Sequence, residues 1–130
     1  MTAHDLAVFA KAYLVCALWS SVQCDEEGTN CVPLDDLYDT DDIAITARIE
    51  QMDECTAFCL ANLDDLTTAV SSPAYTWEQA GHDFWLTRCG HGAGFWDRGL
   101  GDVGDRLSEA ASLCGNIDPY IGDDGLVYFS

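Results

Sequence analysis

Five glycines, at positions 90, 92, 94, 99 and 101, fall within twelve residues of this chain. No helix or strand sustains that density, because each glycine gives up more backbone entropy than any other residue when it is fixed in regular structure. The chain is therefore cut there. Whatever precedes must end by Gly90, and regular structure resumes only at Asp102. The residues around the cut are unusual too. From Gly81 through Gly99 the chain gathers two of its three His, two of its four Trp and two of its five basic residues. Costly aromatics, ionisable side chains and permissive backbone answer different physical demands, so a specific local structure is expected in this segment.

The flanks read as helices. Leu6, Phe9, Ala10, Tyr13, Leu14, Ala17 and Leu18 follow the i, i+3, i+4, i+7 spacing of an amphipathic helix over residues 3–19, with Thr2 as its N-cap. Val22 to Leu37, marked by Asp25-Glu26-Glu27-Gly28 and Pro33, reads as a polar, mobile loop. Asp41-Asp42 then offer an N-cap. Ile45, Ile49, Met52, Thr56, Cys59, Leu63 and Leu66 fall on one stripe, predicting one long helix over 42–69 or two joined near Asn62. Ser71-Ser72-Pro73 ends it. Thr76-Trp77-Glu78-Gln79 has the form of a capping box and predicts a helix from Trp77 to Arg88, stopped by Gly90. Val103, Leu107, Ala110 and Leu113 predict another over 102–113. Pro119 to Phe129, with the turn Gly122-Asp123-Asp124-Gly125, reads as a β-hairpin that must pack on the helices to be stable. The fold class expected is mainly α (α+β): four to five helices with a small C-terminal hairpin, in a single domain over residues 1–130.

Hydrophobic residues make up 48% of the chain, against global disorder, and no apolar run is long enough to cross a bilayer. Asp5 and Lys11 interrupt the apolar N-terminal segment and no basic leader precedes it, so a secretory signal is not expected and the cytoplasm of a host cell is the expected location. Seven cysteines, an odd number without a tight framework, fit reduced thiols; Cys24 and Cys31 flank a loop and are the pair able to close on oxidation. Cys16 and Cys114 read as core.

Twenty-three acids against five basic residues give a formal charge of −18, of which −13 falls in residues 1–80. Such a field repels nucleic acid and anionic lipid and attracts basic surfaces. Asp outnumbers Glu seventeen to six, a balance also expected of adaptation to high salt or of plain solubility. The acids cluster as Asp25-Glu26-Glu27, Asp35-Asp36, Asp39, Asp41-Asp42, Asp53-Glu54 and Asp64-Asp65. Carboxylates held on a folded surface imitate a run of phosphates, and these twelve are the candidate partner-binding residues. Asp39-Thr40-Asp41-Asp42 lacks the ligand spacing, central Gly and terminal Glu of a calcium loop.

His82, Cys89, His91 and Asp97 are the candidates for a metal or small-molecule site, with zinc the metal to consider. Their spacing matches no standard zinc module, and a structural role in tying down the glycine loop is the preferred reading. Cys89 beside His91 is poor geometry for a nucleophile and base. Gly90-His91-Gly92-Ala93-Gly94 follows a helix rather than a strand and lacks the Lys-Ser/Thr of a nucleotide loop. Trp77, Phe84, Trp85, Phe95 and Trp96 read as core more readily than as a binding platform. Arg88, Arg98 and Arg106 are expected to pair with Asp83, Asp97, Asp102 or Asp105. No cofactor, resident metal or catalytic residue is assigned.

Gly81 through Gly101 resembles the signature of a family of small proteins encoded by tailed bacteriophages and prophages, Gly-His-Asp-Phe-Trp-Leu-Thr-Arg-x-Gly-His-Gly-Ala-Gly-Phe-Trp-Asp-Arg-Gly-Leu-Gly. The resemblance extends to Ala17-Leu18-Trp19-Ser20 and to Gly122-Asp123-Asp124-Gly125. Members carry Asn where Cys89 stands, which speaks against Cys89 as a nucleophile or zinc ligand. The resemblance implies a phage origin. In charge and size the chain also resembles phage counter-defence proteins of the anti-CRISPR and anti-restriction kind. The function expected is a non-enzymatic inhibitor whose acidic surface competes with DNA or RNA for the basic groove of a host nucleic-acid-binding defence protein, without contacting nucleic acid or membrane itself. The alternative is a metal- or small-molecule-binding protein, with hydrolysis conceivable, using the His82 to Asp97 segment.

Overall fold

Helix α1, Ala3–Trp19, starts at a reciprocal cap in which the Thr2 hydroxyl accepts from Asp5 N at 3.0 Å and the Asp5 carboxylate accepts from Thr2 N at 2.8 Å. In this computed structural model, which describes all 130 residues, α1 lies at the centre and packs most extensively against α4, Trp77–Arg88. Two further helices, α2 (Ile45–Ala61) and α3 (Leu63–Val70), meet at Asn62, and α5 (Asp102–Leu113) packs on α3 and α4. Asn62 leaves helical geometry at φ −122° and ψ 26°, and its side-chain amide donates to Phe58 O at 2.9 Å. The chain is thus mainly α, with five helices and two small antiparallel sheets. No helix is long and apolar enough to cross a membrane.

Leu6 is half-buried, while Phe9, Ala10, Tyr13, Leu14, Ala17 and Leu18 are all buried, as their spacing predicts. They belong to one core cluster of 25 residues drawn from every helix. At its middle Phe58 stacks on Phe84 with centroids 4.0 Å apart and reaches Phe9 at 6.3 Å and Phe95 at 5.9 Å. Aromatic pairs of this kind add roughly 1 kcal/mol each beyond the area they bury. Helix α1 and helix α4 come unusually close because position 81 has no side chain: a Cβ there would stand 2.0 Å from Phe9 O.

Helix α4 ends in a Schellman motif. The amide of Gly90, at φ +68°, donates to Thr87 O, and that of His91 donates to Leu86 O. The following segment returns over the core as a 3₁₀ turn, Phe95–Asp97, with Phe95 fully buried.

Several expectations are corrected. The stretch 22–37 is a β-hairpin, β1 Val22–Cys24 with β2 Cys31–Pro33, followed by a 3₁₀ turn, Leu34–Asp36, that buries Leu34. Its strands are short and exposed on nearly every residue, so no alternation marks them in the sequence. Cys24 and Cys31 are cross-strand partners joined by a disulfide rather than reduced thiols. The remaining five cysteines are free, and Cys114 is exposed at the end of α5, where the helix leaves the core. Asp41 and Asp42 do not cap α2. They form a separate 3₁₀ turn, Thr40–Asp42, capped by the Asp39 carboxylate, while α2 has Ala44 at its N-cap and no side-chain cap. Ile45 and Ile49 are exposed, because the face that α2 buries runs through Ala47, Gln51, Cys55, Phe58 and Cys59. Gln51 disguises that face, being buried only because its Oε1 accepts from the Tyr13 hydroxyl at 2.6 Å. Leu113 is likewise exposed.

The expected C-terminal hairpin is present as β3, Pro119–Ile121, and β4, Val127–Phe129. It is held to the helices by Val127, which is fully buried and bridges Ile43, by an Ala44 N to Val127 O bond of 3.0 Å, and by the Phe129 ring against Trp85.

Candidate functional site

The Gly81 to Gly101 segment uses its Asp83, Arg88, Asp97 and Arg98 side chains to hold the fold. Asp83 is completely buried in α4 and accepts from the Tyr75 hydroxyl at 2.7 Å, from Gln79 Nε2 at 3.2 Å and from Arg98 in a fork of 2.8 Å and 3.1 Å to the same oxygen. Burying a carboxylate costs several kcal/mol unless it is paired and fully hydrogen-bonded, and Asp83 is both. Arg98 also lies 3.7 Å from Asp97, whose Oδ1 accepts from Gly94 N at 3.1 Å and fixes the glycine turn. The carboxylate neighbours hold the Arg98 guanidinium pKa above its ordinary value.

Arg88, only 4% exposed, closes the other end of α4. Its Nε donates to Gly115 O at 2.8 Å and its Nη2 to Cys114 O at 2.9 Å, so it neutralises the carbonyl end of α5. Its Nη1 donates to Tyr13 and pairs with Glu54 of α2. One guanidinium thereby joins four helices. The pairing rule read from the sequence holds for Arg98 alone: Arg88 takes Glu54 and Arg106 takes Asp65, at 2.8 Å. Local spacing cannot reveal those partners because they come from α2 and α3.

The four candidate metal or small-molecule residues are dispersed. The His82 ring lies against Trp19, centroids 5.6 Å apart, with its Nδ1 shut from solvent and without a partner. Desolvation lowers its pKa below 6.5, so the ring is neutral near neutral pH. The Cys89 thiol faces Ile117 O at 3.5 Å, His91 is exposed, and Asp97 is engaged with Gly94 and Arg98. No three His, Cys, Asp or Glu side chains converge as a metal site would require. Burial pushes the free thiols away from reactivity, with Cys16 and Cys59 raised to about 12 and Cys89 also raised. Phe84, Trp85 and Phe95 are core, Trp77 is half-buried, and Trp96 is exposed. Trp85 Nε1 donates to Ser20 Oγ at 2.8 Å, which ties the end of α1 to α4.

The twelve candidate partner-binding acids divide into two groups. Five do structural work. Asp25 binds Thr29 and Asn30 across the β1–β2 turn, which lowers its pKa to about 2. Asp39 and Asp42 cap the Thr40–Asp42 turn, Glu54 holds Arg88, and Asp65 holds Arg106. The other seven, Glu26, Glu27, Asp35, Asp36, Asp41, Asp53 and Asp64, are exposed and have no ion pair or side-chain hydrogen bond. Glu26 and Glu27 ride the tip of the disulfide-closed hairpin, while Asp35, Asp36 and Asp41 lie on the two 3₁₀ turns packed beside α1.

No protein-family model matches this chain, and no curated protein or solved structure is measurably similar to it.

Proposed function

We propose that the protein is a phage-encoded, non-enzymatic inhibitor whose unpaired carboxylates occupy the basic nucleic-acid-binding surface of a host defence protein of the CRISPR or restriction kind. The observation that carries this reading is the fate of the acids. Seven of the twelve have no internal partner, yet they are fixed on short, locally braced turns and helices rather than on a loose tail. Preformed carboxylates lose little entropy on meeting Arg and Lys, and a charge of −18 steers the encounter. In the Gly81 to Gly101 segment, by contrast, Asp83 and Asp97 are engaged by Arg98, Arg88 is engaged by Glu54, and Phe84, Trp85 and Phe95 are core, so the metal alternative has less to draw on than the acidic surface.

The test is affinity for the captured target at low and high salt, with DNA or RNA as competitor. Binding is expected to fall linearly in log affinity against log salt and to be lost to nucleic acid. Reversing Glu26, Glu27, Asp35 and Asp36 together is expected to abolish inhibition. Salt-independent binding, or full inhibition by that variant, would sink the reading.

A further inference from the structure

The chain has five cations, and three of them, Arg88, Arg98 and Arg106, form ion pairs with carboxylates. Lys11 and Arg48 form none, although the chain holds twenty-three acids. Both of these unpaired cations line the same cavity of about 300 Å³, between α1, α2 and the Thr40–Asp42 turn. Arg48 donates one Nη2 bond to Thr40 O, while its Nε is shut from solvent and has no acceptor. A guanidinium offers five donors in a fixed fork, and with Nε enclosed it is the Nη groups of this one that have donors left to offer beyond the Thr40 bond. Ala7, Leu14 and Met52 supply apolar wall, and Asp41 stands on the rim.

We propose that this cavity binds a small organic carboxylate, its oxygens between Arg48 and Lys11 and its apolar body against Leu14 and Met52. Charge selects the class. Two cations without an ion pair select an anion, and the acids of the adjoining turn, Asp41 on the rim with Asp39 and Asp42 beside it, disfavour a phosphate dianion more than a monoanion. The apolar wall disfavours a bare inorganic ion. At physiological ionic strength the Debye length is about 8 Å, so acids farther than that across the surface are largely screened from the cavity. The inference stands apart from the acidic-surface reading, since none of the seven free acids except Asp41 touches the cavity.

The probes are sodium hexanoate and inorganic phosphate, titrated by calorimetry and by two-dimensional NMR at constant ionic strength set with chloride. Hexanoate is expected to bind saturably, shifting the Arg48 Nε–H and the amides around Thr40 and Leu14, and to bind more tightly than phosphate. Arg48→Gln or Lys11→Gln is expected to weaken it about tenfold, the loss of one charge-assisted hydrogen bond. Lys11 is exposed, so its variant reports on binding even if Arg48→Gln lowers stability. Asp41→Asn is expected to tighten binding by removing a like charge. The proposal is overturned by no saturable shift, by phosphate binding as tightly as hexanoate, or by unchanged affinity in Lys11→Gln. It is also overturned if Asp41→Asn and Arg48→Gln destabilise the fold by the same, non-additive amount, because Asp41 would then be the partner of Arg48 in solution.

Discussion

The α-carbon of Gly81 lies so close to Phe9 that a Cβ at position 81 would stand 2.0 Å from the Phe9 carbonyl oxygen and 2.7 Å from its carbonyl carbon. The obstacle is backbone of the central helix, which cannot swing aside as a side-chain tip would. Gly81→Ala is therefore expected to destabilise the protein by about 3 kcal/mol, the upper range of overpacking, even though alanine is the better helix former. Urea unfolding measures it, and a stabilised variant would show that α1 and α4 can separate freely.

Asp83 is completely buried and Arg98 is 30% exposed at its side chain, so the two halves of this pair are not equivalent. Removing Arg98 strands a buried carboxylate on Tyr75 and Gln79 alone, whereas removing the carboxylate leaves a guanidinium that can turn to water. Arg98→Ala is expected to cost about 3 kcal/mol and Asp83→Asn less. Thermal unfolding of the two variants decides it, and the reverse order would contradict this account.

His82 lends a pH dependence of known sign. Burial lowers its pKa below 6.5 against the favourable charges of Asp83 and Glu78, with Arg98 reinforcing the fall. The unfolded chain thus binds the proton more readily than the folded one. The stability this group contributes is complete above its unfolded pKa and is lost as pH falls below 6.5 towards the folded value. Between pH values of about 7 and 5.5 the wild type is expected to lose more stability than His82→Gln, and equal losses would exclude His82 as the cause.

The five engaged acids and the seven free ones are expected to separate in unfolding experiments. Neutralising Glu26, Glu27, Asp35 or Asp36 leaves stability within about 0.5 kcal/mol, or raises it by relieving repulsion, because nothing folded depends on them. Glu54→Gln removes the ion-pair partner of an Arg88 that is 4% exposed and is expected to cost about 2 kcal/mol.

The β1–β2 hairpin is closed by a disulfide across seven residues of separation. A loop of that size restrains the open hairpin by about 2 kcal/mol on chain-entropy grounds. Reduction is expected to speed hydrogen exchange of the Asp25 amide, which donates to Asn30 O at 3.0 Å, while leaving α1 and α4 protected. Loss of protection throughout would mean that the hairpin supports the core.

Legibility followed the range of the interactions. The α1 stripe, the stop at Gly90 and the C-terminal hairpin are legible because each is set by residues a few positions apart, whereas the sequence leaves one helix or two open at Asn62. The β1–β2 hairpin could not, since its three-residue strands bury almost nothing. Ile45 and Ile49 misled because hydrophobic residues need not face inward, and the buried face was hidden by Gln51, whose burial depends on Tyr13, 38 positions away. The candidate acids were identifiable as acids, but which of them were free was not. That depended on Arg88 and Arg106, whose partners lie 34 and 41 positions back along the chain.

Val127 is wholly enclosed and meets the chain again at Ile43, so a residue near the C-terminus closes the layer that α1 and α2 begin. During synthesis the first two helices must wait for it, with Ile43 and Ala44 uncovered until β4 has left the ribosome. A chain cut before β4 would leave the contacts of Val127 with Ile43 and Ala44 unmade, and is expected to be substrate for proteases rather than a smaller working domain.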